Sequence, residues 1–318
     1  MFGLKLDMAC EIPDKYYSLE DYEKAEPRWC PGCGDHSVLT NIQKLCREKQ
    51  LDPAKTVFVS GIGCSSRFPH YMKTYGFHGL HGRAFPVASG IKFRRPDLDV
   101  FVITGDGDCC SIGAGAWVHA IRYNINMTVM LFNNEIYGLT KNQTSPTSRV
   151  GTKSNTSPRG SILPPINPLQ TTLGVANVSF VAQTVDWNPA HLYATLNAAH
   201  EHKGFSFVHI VQRCPVFQPD LVDEFTSGKD AFHLIKNENG IVLDEKAEKT
   251  FKNSVEHDHT DINAARHLAE HENGKFYLGL LYQNKEAQCY DDYGAHNLGF
   301  TAEQKMSVLN EELDKRAI

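Results

Sequence analysis

Gly105-Asp106-Gly107-Asp108 and Asn133-Asn134-Glu135-Ile136-Tyr137-Gly138 are the two stretches from which the fold can be read. The first follows directly on the apolar run Val100-Phe101-Val102-Ile103-Thr104, and the second on Thr128-Val129-Met130-Leu131-Phe132. Both runs read as buried strands, and the segment between them, Ser111 to Tyr123, reads as a helix rich in small residues (Gly113, Ala114, Gly115, Ala116). A strand–helix–strand unit makes the two strands parallel, so both exits fall on one sheet edge, where open α/β sheets bind their ligands. Asp106 and Asn134 then stand side by side, each offering hard oxygen. That donor type suits magnesium held together with phosphate oxygens, and Gly105 and Gly107 permit close approach of backbone to a phosphate. Each stretch alone is an ordinary turn; together, at the ends of two apolar strands, they point to a phosphate–metal site.

The same alternation extends along the chain. A helix is expected from Asp35 to about Lys49, with Asp35 as its N-cap, and a strand over Thr56–Ser60. Further helices are expected over Gly82–Arg94 and Pro189–His202, and further strands over Val178–Ala182 and Phe205–Val211. The fold class is therefore α/β, a mostly parallel sheet with helices on both faces. Residues 1–27 read as a polar N-terminal arm, residues 28–219 as the main domain, and residues 140–170 as a long polar loop of the functional kind. Residues 220–318 read as an irregular extension, ending in a helix over Thr301–Lys315, that packs on the domain or on another chain.

With 41% hydrophobic and 22% charged residues in 318, the chain can bury a full core. No apolar run approaches the ~20 residues of a membrane span, and the N-terminus lacks the pattern of a secretory signal. A cytoplasmic, non-membrane protein is expected. Residues 220–318 carry 20 acidic and 11 basic side chains, so the net charge of −5 conceals a mildly basic body that suits anionic ligands. An acidic tail with no cluster of Lys and Arg argues against nucleic acid.

Nine cysteines are many for a reducing compartment and direct attention to metal or catalysis. Cys30 and Cys33 form a CxxC before the first helix, Cys64 follows the strand ending at Ser60, and Cys214 follows the strand ending at Val211. All four fall at turns and can converge on one sheet edge. Four thiolates suit tetrahedral zinc or an iron–sulfur cluster. Cys46 lies on an apolar helix face and reads as core, Cys109 and Cys110 have no partner spacing, and Cys10 and Cys289 are isolated.

The phosphate–metal pattern resembles the diphosphate–magnesium motif of thiamine-diphosphate enzymes. More fully, the chain resembles the β subunits of 2-oxoacid:ferredoxin oxidoreductases, most closely the 2-oxoglutarate type. The resemblance rests on Trp29-Cys30-Pro31-Gly32-Cys33-Gly34-Asp35-His36, Gly61-Ile62-Gly63-Cys64, His78-Gly79-Leu80-His81-Gly82-Arg83-Ala84, Gly105-Asp106-Gly107-Asp108, Asn134 to Lys141, and Cys214-Pro215, in that order over residues 28–216. It implies a thiamine-diphosphate-binding fold and one 4Fe–4S cluster on Cys30, Cys33, Cys64 and Cys214. It also implies Mg2+ on Asp106, Asn134 and the main-chain carbonyl of Ile136.

By the same resemblance, Gly63, Cys64, Gly105, Gly107 and Asp108 would line the cofactor site. His81 and Arg83 would stand at the reacting end, and Lys141 would pair with the distal carboxylate of 2-oxoglutarate. Asn142 stands where glycine is expected. The glutamate that activates thiamine would come from an α subunit carrying the pyrimidine-binding domain, in an (αβ)2 assembly that also meets coenzyme A and ferredoxin. A pyruvate or branched-chain 2-oxoacid enzyme is the neighbouring alternative, and a zinc-bearing structural subunit is the alternative of another class.

Overall fold

The structure is a computed structural model and describes residues 16–227, 229–271, 274–293 and 301–316. In chain order the elements begin with α1 (Asp35–Glu48), β1 (Thr56–Ser60), β2 (Tyr75–His78), α2 (Ala84–Arg94), β3 (Asp99–Gly105), α3 (Asp106–Cys110) and α4 (Ala114–Tyr123). They continue through β4 (Met127–Asn133), β5 (Ile136–Tyr137), β6 (Gln143–Thr144), α5 (Pro168–Leu173), β7 (Phe180–Val185), α6 (Pro189–Glu201) and β8 (Phe205–Val211). The last third holds α7 (Pro219–Ser227), β9 (Phe232–Lys236), α8 (Glu245–Glu248), β10 (Asn253–Glu256), α9 (Ile262–Leu268), β11 (Phe276–Gln283), α10 (Tyr290–Tyr293) and α11 (Ala302–Asp314).

Among the described residues, nine strands form one sheet in the order β10-β9-β11-β7-β8-β4-β3-β1-β2. Every pairing is parallel except β11 with β7. Alternation along each central strand divides the core into two layers. Val100 and Val102 of β3, with Val129 and Leu131 of β4, face α2, α4, α5 and α9 through Phe85, Trp117, Leu169 and Ala265. Phe101 and Ile103, with Met130 and Phe132, face α1 and α6 through Ile42, Leu45, Leu192 and Leu196. Burial on both faces is what a continuous apolar strand requires. The register Gly105↔Phe132 brings the exits of β3 and β4 level, as the opening pattern demands.

Three details differ from the sequence reading. The helix expected over Ser111–Tyr123 starts only at Ala114, and a short α3 that was not expected precedes it, with Asp106 as its first residue. Asp35 is not the N-cap of α1. Gly34 holds that position and Asp35 is buried as the first helical residue. A Cβ at residue 34 would lie 2.4 Å from Asp186 Oδ2, so only glycine lets the chain turn there. The 140–170 loop is not wholly irregular, since β5 and β6 form a short hairpin and α5 begins at Pro168.

The C-terminal extension is more regular than its charged composition suggests. It packs on the body by adding β11, β9 and β10 to the sheet edge, with β11 reaching β7 through a register shift between Leu280 and Tyr282. Of the expected N-terminal arm, residues 1–15 lie outside the described residues. Residues 16–27 run against the body, with Tyr22 buried and its hydroxyl donating to Leu51 O at 2.8 Å.

Candidate active site

A cavity of about 290 Å³ opens at the C-terminal ends of β1, β3 and β4. Asp106, Asn134 and Ile136 line one wall, Gly63 and Cys64 another, and His81 stands at the side. Asp106 is 3% exposed. Burial pushes its carboxyl up to about 6 against the lowering effect of hydroxyl donors, of which Thr147 Oγ1 donates to Oδ2 at 2.7 Å. Beyond β4, Glu135 adopts φ 60°, and within this turn Asn134 Oδ1 accepts from Ile136 N at 3.2 Å. Asp106, Asn134 and Ile136, all lining one cavity, offer a carboxylate, a side-chain amide and a main-chain carbonyl, a donor chemistry that fits a hard divalent cation. Gly107 admits the Tyr137 ring, since a Cβ there would lie 2.1 Å from Cε1, and Tyr137 Oη donates to Gly107 O at 3.0 Å.

Cys64 and Cys214 approach one another beside this cavity, and the CxxC turn of Cys30 and Cys33 docks on the loop that carries Cys214. Cys64 lines the cavity, and a Cβ placed on Gly138 would lie 3.5 Å from Cys64 Sγ and 3.9 Å from Cys214 Sγ. The CxxC turn docks on the loop after β8, with Gly34 N donating to Arg213 O at 3.2 Å and Gln212 Nε2 to Cys33 Sγ at 3.3 Å. Burial pushes the Cys64 thiol up to about 12, and Asp35, Cys214 and Cys30 add to the rise. Cys33 is raised by burial, with Asp35, Cys214 and Cys64 as negative neighbours. Among the described residues no three such side chains form a ready-made metal site. The donor chemistry, four sulfurs on three loops, still matches what a cubane cluster or a zinc ion takes.

Residues 61–210 match the family model of the thiamine pyrophosphate enzyme C-terminal TPP-binding domain. The 2-oxoglutarate oxidoreductase subunit KorB of Mycobacterium tuberculosis is 47% identical over 68% of this chain and 57% of its own length. The chain thus spans a little over half of that relative. The 2-oxoacid:ferredoxin oxidoreductase subunit beta of Saccharolobus solfataricus is 36% identical over 83% of this chain and 84% of its own length. The chain belongs to the 2-oxoacid:ferredoxin oxidoreductase β subunits. Its sheet also superposes on a solved 2-oxoglutarate:ferredoxin oxidoreductase from Magnetococcus marinus, a structure with 2-oxoglutarate, coenzyme A and succinyl-CoA bound. The TM-score there is 0.77 and the identity 36%, over 92% of this chain and 96% of that one.

Within this β subunit not every expected site residue has the same standing. Asp108 lines the cavity, but its carboxylate is engaged by the protein. It accepts from Ile62 N at 3.0 Å, Gly82 N at 2.6 Å and Thr104 Oγ1 at 2.8 Å. His81 Nδ1 lies 2.9 Å from Asp108 Oδ1, without the alignment of a hydrogen bond. Asp108 therefore ties the loops after β1 and β2 to β3 and fixes where His81 stands. Gly61 exists for the same contact, because a Cβ there would lie 2.1 Å from the Asp108 carboxylate. Arg83 and Lys141 are both exposed and lie outside the lining; Lys141, at φ 69°, is tied by its backbone N to Gly138 O at 3.0 Å.

Asp108→Ala would orphan two main-chain N–H groups at the cavity. It is expected to lower stability by on the order of 2–5 kcal/mol, read from the denaturation midpoint of the purified chain. An unchanged midpoint would refute this tethering role.

The sequence reading missed several contributors. Thr147 donates to Asp106 and stands 2.9 Å from Asn133 Oδ1. Buried Asp186 holds Arg213 at 3.0 Å through Nε and at 3.2 Å through the backbone N, and so fixes the Cys214 loop. Trp29 Nε1 donates to Cys64 O at 2.7 Å. Glu135, pushed up to about 7 by burial and opposed by Arg149, pairs with Arg149 Nε at 3.0 Å. Trp29 and Glu135 belong to motif stretches, but in every case the partner comes from another segment and nothing in the sequence names it.

Proposed function

We propose that this chain is the β subunit of a 2-oxoglutarate:ferredoxin oxidoreductase. The reaction converts 2-oxoglutarate, coenzyme A and oxidised ferredoxin to succinyl-coenzyme A, carbon dioxide and reduced ferredoxin. The observation that carries this reading is the placement of Cys64. One residue lines the cavity of Asp106 and Asn134 and also belongs to the cysteine group, so a carbanion-forming site and an electron acceptor are neighbours.

In this reading Asp106, Asn134 and the Ile136 carbonyl hold Mg2+, and Gly105 and Gly107 admit the diphosphate. Cys30, Cys33, Cys64 and Cys214 hold one 4Fe–4S cluster. Thiamine diphosphate supplies the electron sink for decarboxylation when bound. His81, fixed beside Asp108, presents its ring to the reacting end, and Arg83 belongs to the rim. Residues 28–219 carry these sites, and β9, β10 and β11 of the C-terminal extension widen the sheet. Leu80 and Leu139, 75% and 46% exposed at the rim, support an α subunit closing over the cavity in an (αβ)2 assembly. Among the described residues no helix is long and apolar enough to cross a membrane, and the free cysteines suit a reducing cytoplasm.

Lys141 is the residue assigned to the distal carboxylate. A charge-assisted contact is worth on the order of 1.5–3 kcal/mol. Lys141→Ala, assayed with the α subunit, is therefore expected to lower kcat/KM for 2-oxoglutarate by roughly 10- to 100-fold and to leave uncharged 2-oxoacids nearly unaffected. Equal losses on both would assign Lys141 to structure and favour the pyruvate or branched-chain alternative. The whole reading is tested by anaerobic co-purification with the α subunit, followed by iron, zinc and thiamine diphosphate analysis and an assay of ferredoxin reduction dependent on 2-oxoglutarate and coenzyme A. Stoichiometric zinc without iron would replace it with the structural-subunit alternative.

A further inference from the structure

Gln212 follows β8 and is 2% exposed. Its backbone N donates to Asn133 O at 2.9 Å. Its side-chain Oε1 accepts from Asn134 Nδ2 at 2.7 Å. The two hydrogens on Nε2 go to Arg213 O, at 2.7 Å, and to Cys33 Sγ, at 3.3 Å. Only one orientation of this amide is possible. Turned over, its oxygen would face a carbonyl and a sulfur, both acceptors, and its NH2 would face the NH2 of Asn134. The same bond fixes the side chain of Asn134, a residue that lines the cavity and whose Oδ1 accepts from Ile136 N.

We propose that Gln212 is a positioning residue shared by the two sites, orienting Asn134 for the metal and, through its N–H···S bond to Cys33, raising the reduction potential of the cluster. This rests on the reading that Asn134 binds the diphosphate metal and Cys33 the cluster. The physical ground is general. A hydrogen bond to a ligating sulfur offsets part of the charge that the cluster gains on reduction, and so favours the reduced form. A partner that orients a metal ligand commonly contributes 10- to 100-fold in affinity. Gln212 does both with a single planar group, so the electron-accepting centre and the cofactor's metal are set by one buried side chain.

The test uses the αβ complex purified anaerobically. Iron and thiamine diphosphate are measured first on the parent protein, and their absence would overturn the functional reading together with this inference. With the parent loaded, Gln212→Leu is expected to shift the cluster midpoint potential to more negative values in an EPR-monitored titration. The same variant should bind magnesium and thiamine diphosphate roughly tenfold more weakly by calorimetry. An unchanged potential in cluster-loaded Gln212→Leu would overturn the tuning role, and an unchanged affinity the positioning role. Should that variant fail to fold, the parent labelled with 15N in glutamine side chains still decides the N–H···S bond. Its reduced cluster should show a 15N coupling by pulsed EPR, and absence of the coupling would overturn the proposal.

Discussion

Cys214→Ala, purified anaerobically with its α subunit, is expected to lose its iron, falling from about four atoms per β chain to less than about one. The backbone around Cys214 is held without its sulfur. Asp186 grips Arg213 on one side, and Gln218 N donates to Cys214 O at 2.9 Å on the other. The substitution should therefore leave the loop in place. Cys214 also lies outside the lining of the cofactor cavity, so binding of magnesium and thiamine diphosphate should persist. Ferredoxin reduction should disappear, because the acceptor of single electrons is gone while the cofactor site remains. A variant that keeps its full iron complement would remove Cys214 from the ligand set, and stoichiometric zinc in the parent would remove the cluster itself.

The sequence carried the central sheet because its strands are buried on both faces and therefore written as apolar runs ending at glycine, asparagine or cysteine. Those endings coincide with the sheet edge, so the residues that follow β1, β3, β4 and β8 fall together with no knowledge of side-chain contacts. This is why Cys64, Asp106, Asn134 and Cys214 could be placed in one neighbourhood. The outer strands were less legible. β9 and β10 are short and set among charged residues, and the antiparallel pairing of β11 with β7 depends on a partner 96 residues away in sequence, at Gly279↔Gln183.

The division of labour inside the Gly105–Asp108 stretch was also hidden. Asp106 was expected to hold the metal and Asp108 to line the cofactor, and only N–H groups arriving from Ile62 and Gly82 commit Asp108 to holding loops. Gln212 was invisible for the same reason. Nothing in its neighbours says that one amide will meet Asn134 and Cys33, which stand 78 and 179 positions away. Asp35 illustrates the opposite error. An acidic residue before an amphipathic run is a sound capping signal, but here the tight packing of Gly34 on Asp186 moves the cap one residue back.

Asp106→Ala is expected to weaken binding of magnesium and thiamine diphosphate by at least about 100-fold, beyond the loss typical of residues that merely orient a ligand. Asp106 brings the charged oxygen of the proposed metal site, whereas Asn134 and Ile136 bring neutral ones, and the negative diphosphate cannot take its place as a protein anchor. The cost should be confined to that site. The cysteines proposed for the cluster sit on the CxxC turn and on the loops after β1 and β8, and none of them is held by the Asp106 carboxylate, so iron content should match the parent. Asp106→Asn separates charge from shape, because its amide oxygen can still accept from Thr147 while the ligand charge is lost. If charge is what matters, Asn should bind the cofactor almost as weakly as Ala and hold the fold at least as well. If Asn restores binding to parental levels, Asp106 acts through its hydrogen bond to Thr147 and the metal is held elsewhere. Unchanged cofactor affinity in both variants would reduce Gly105–Asp108 to a turn, and the thiamine assignment would then rest on the family match alone.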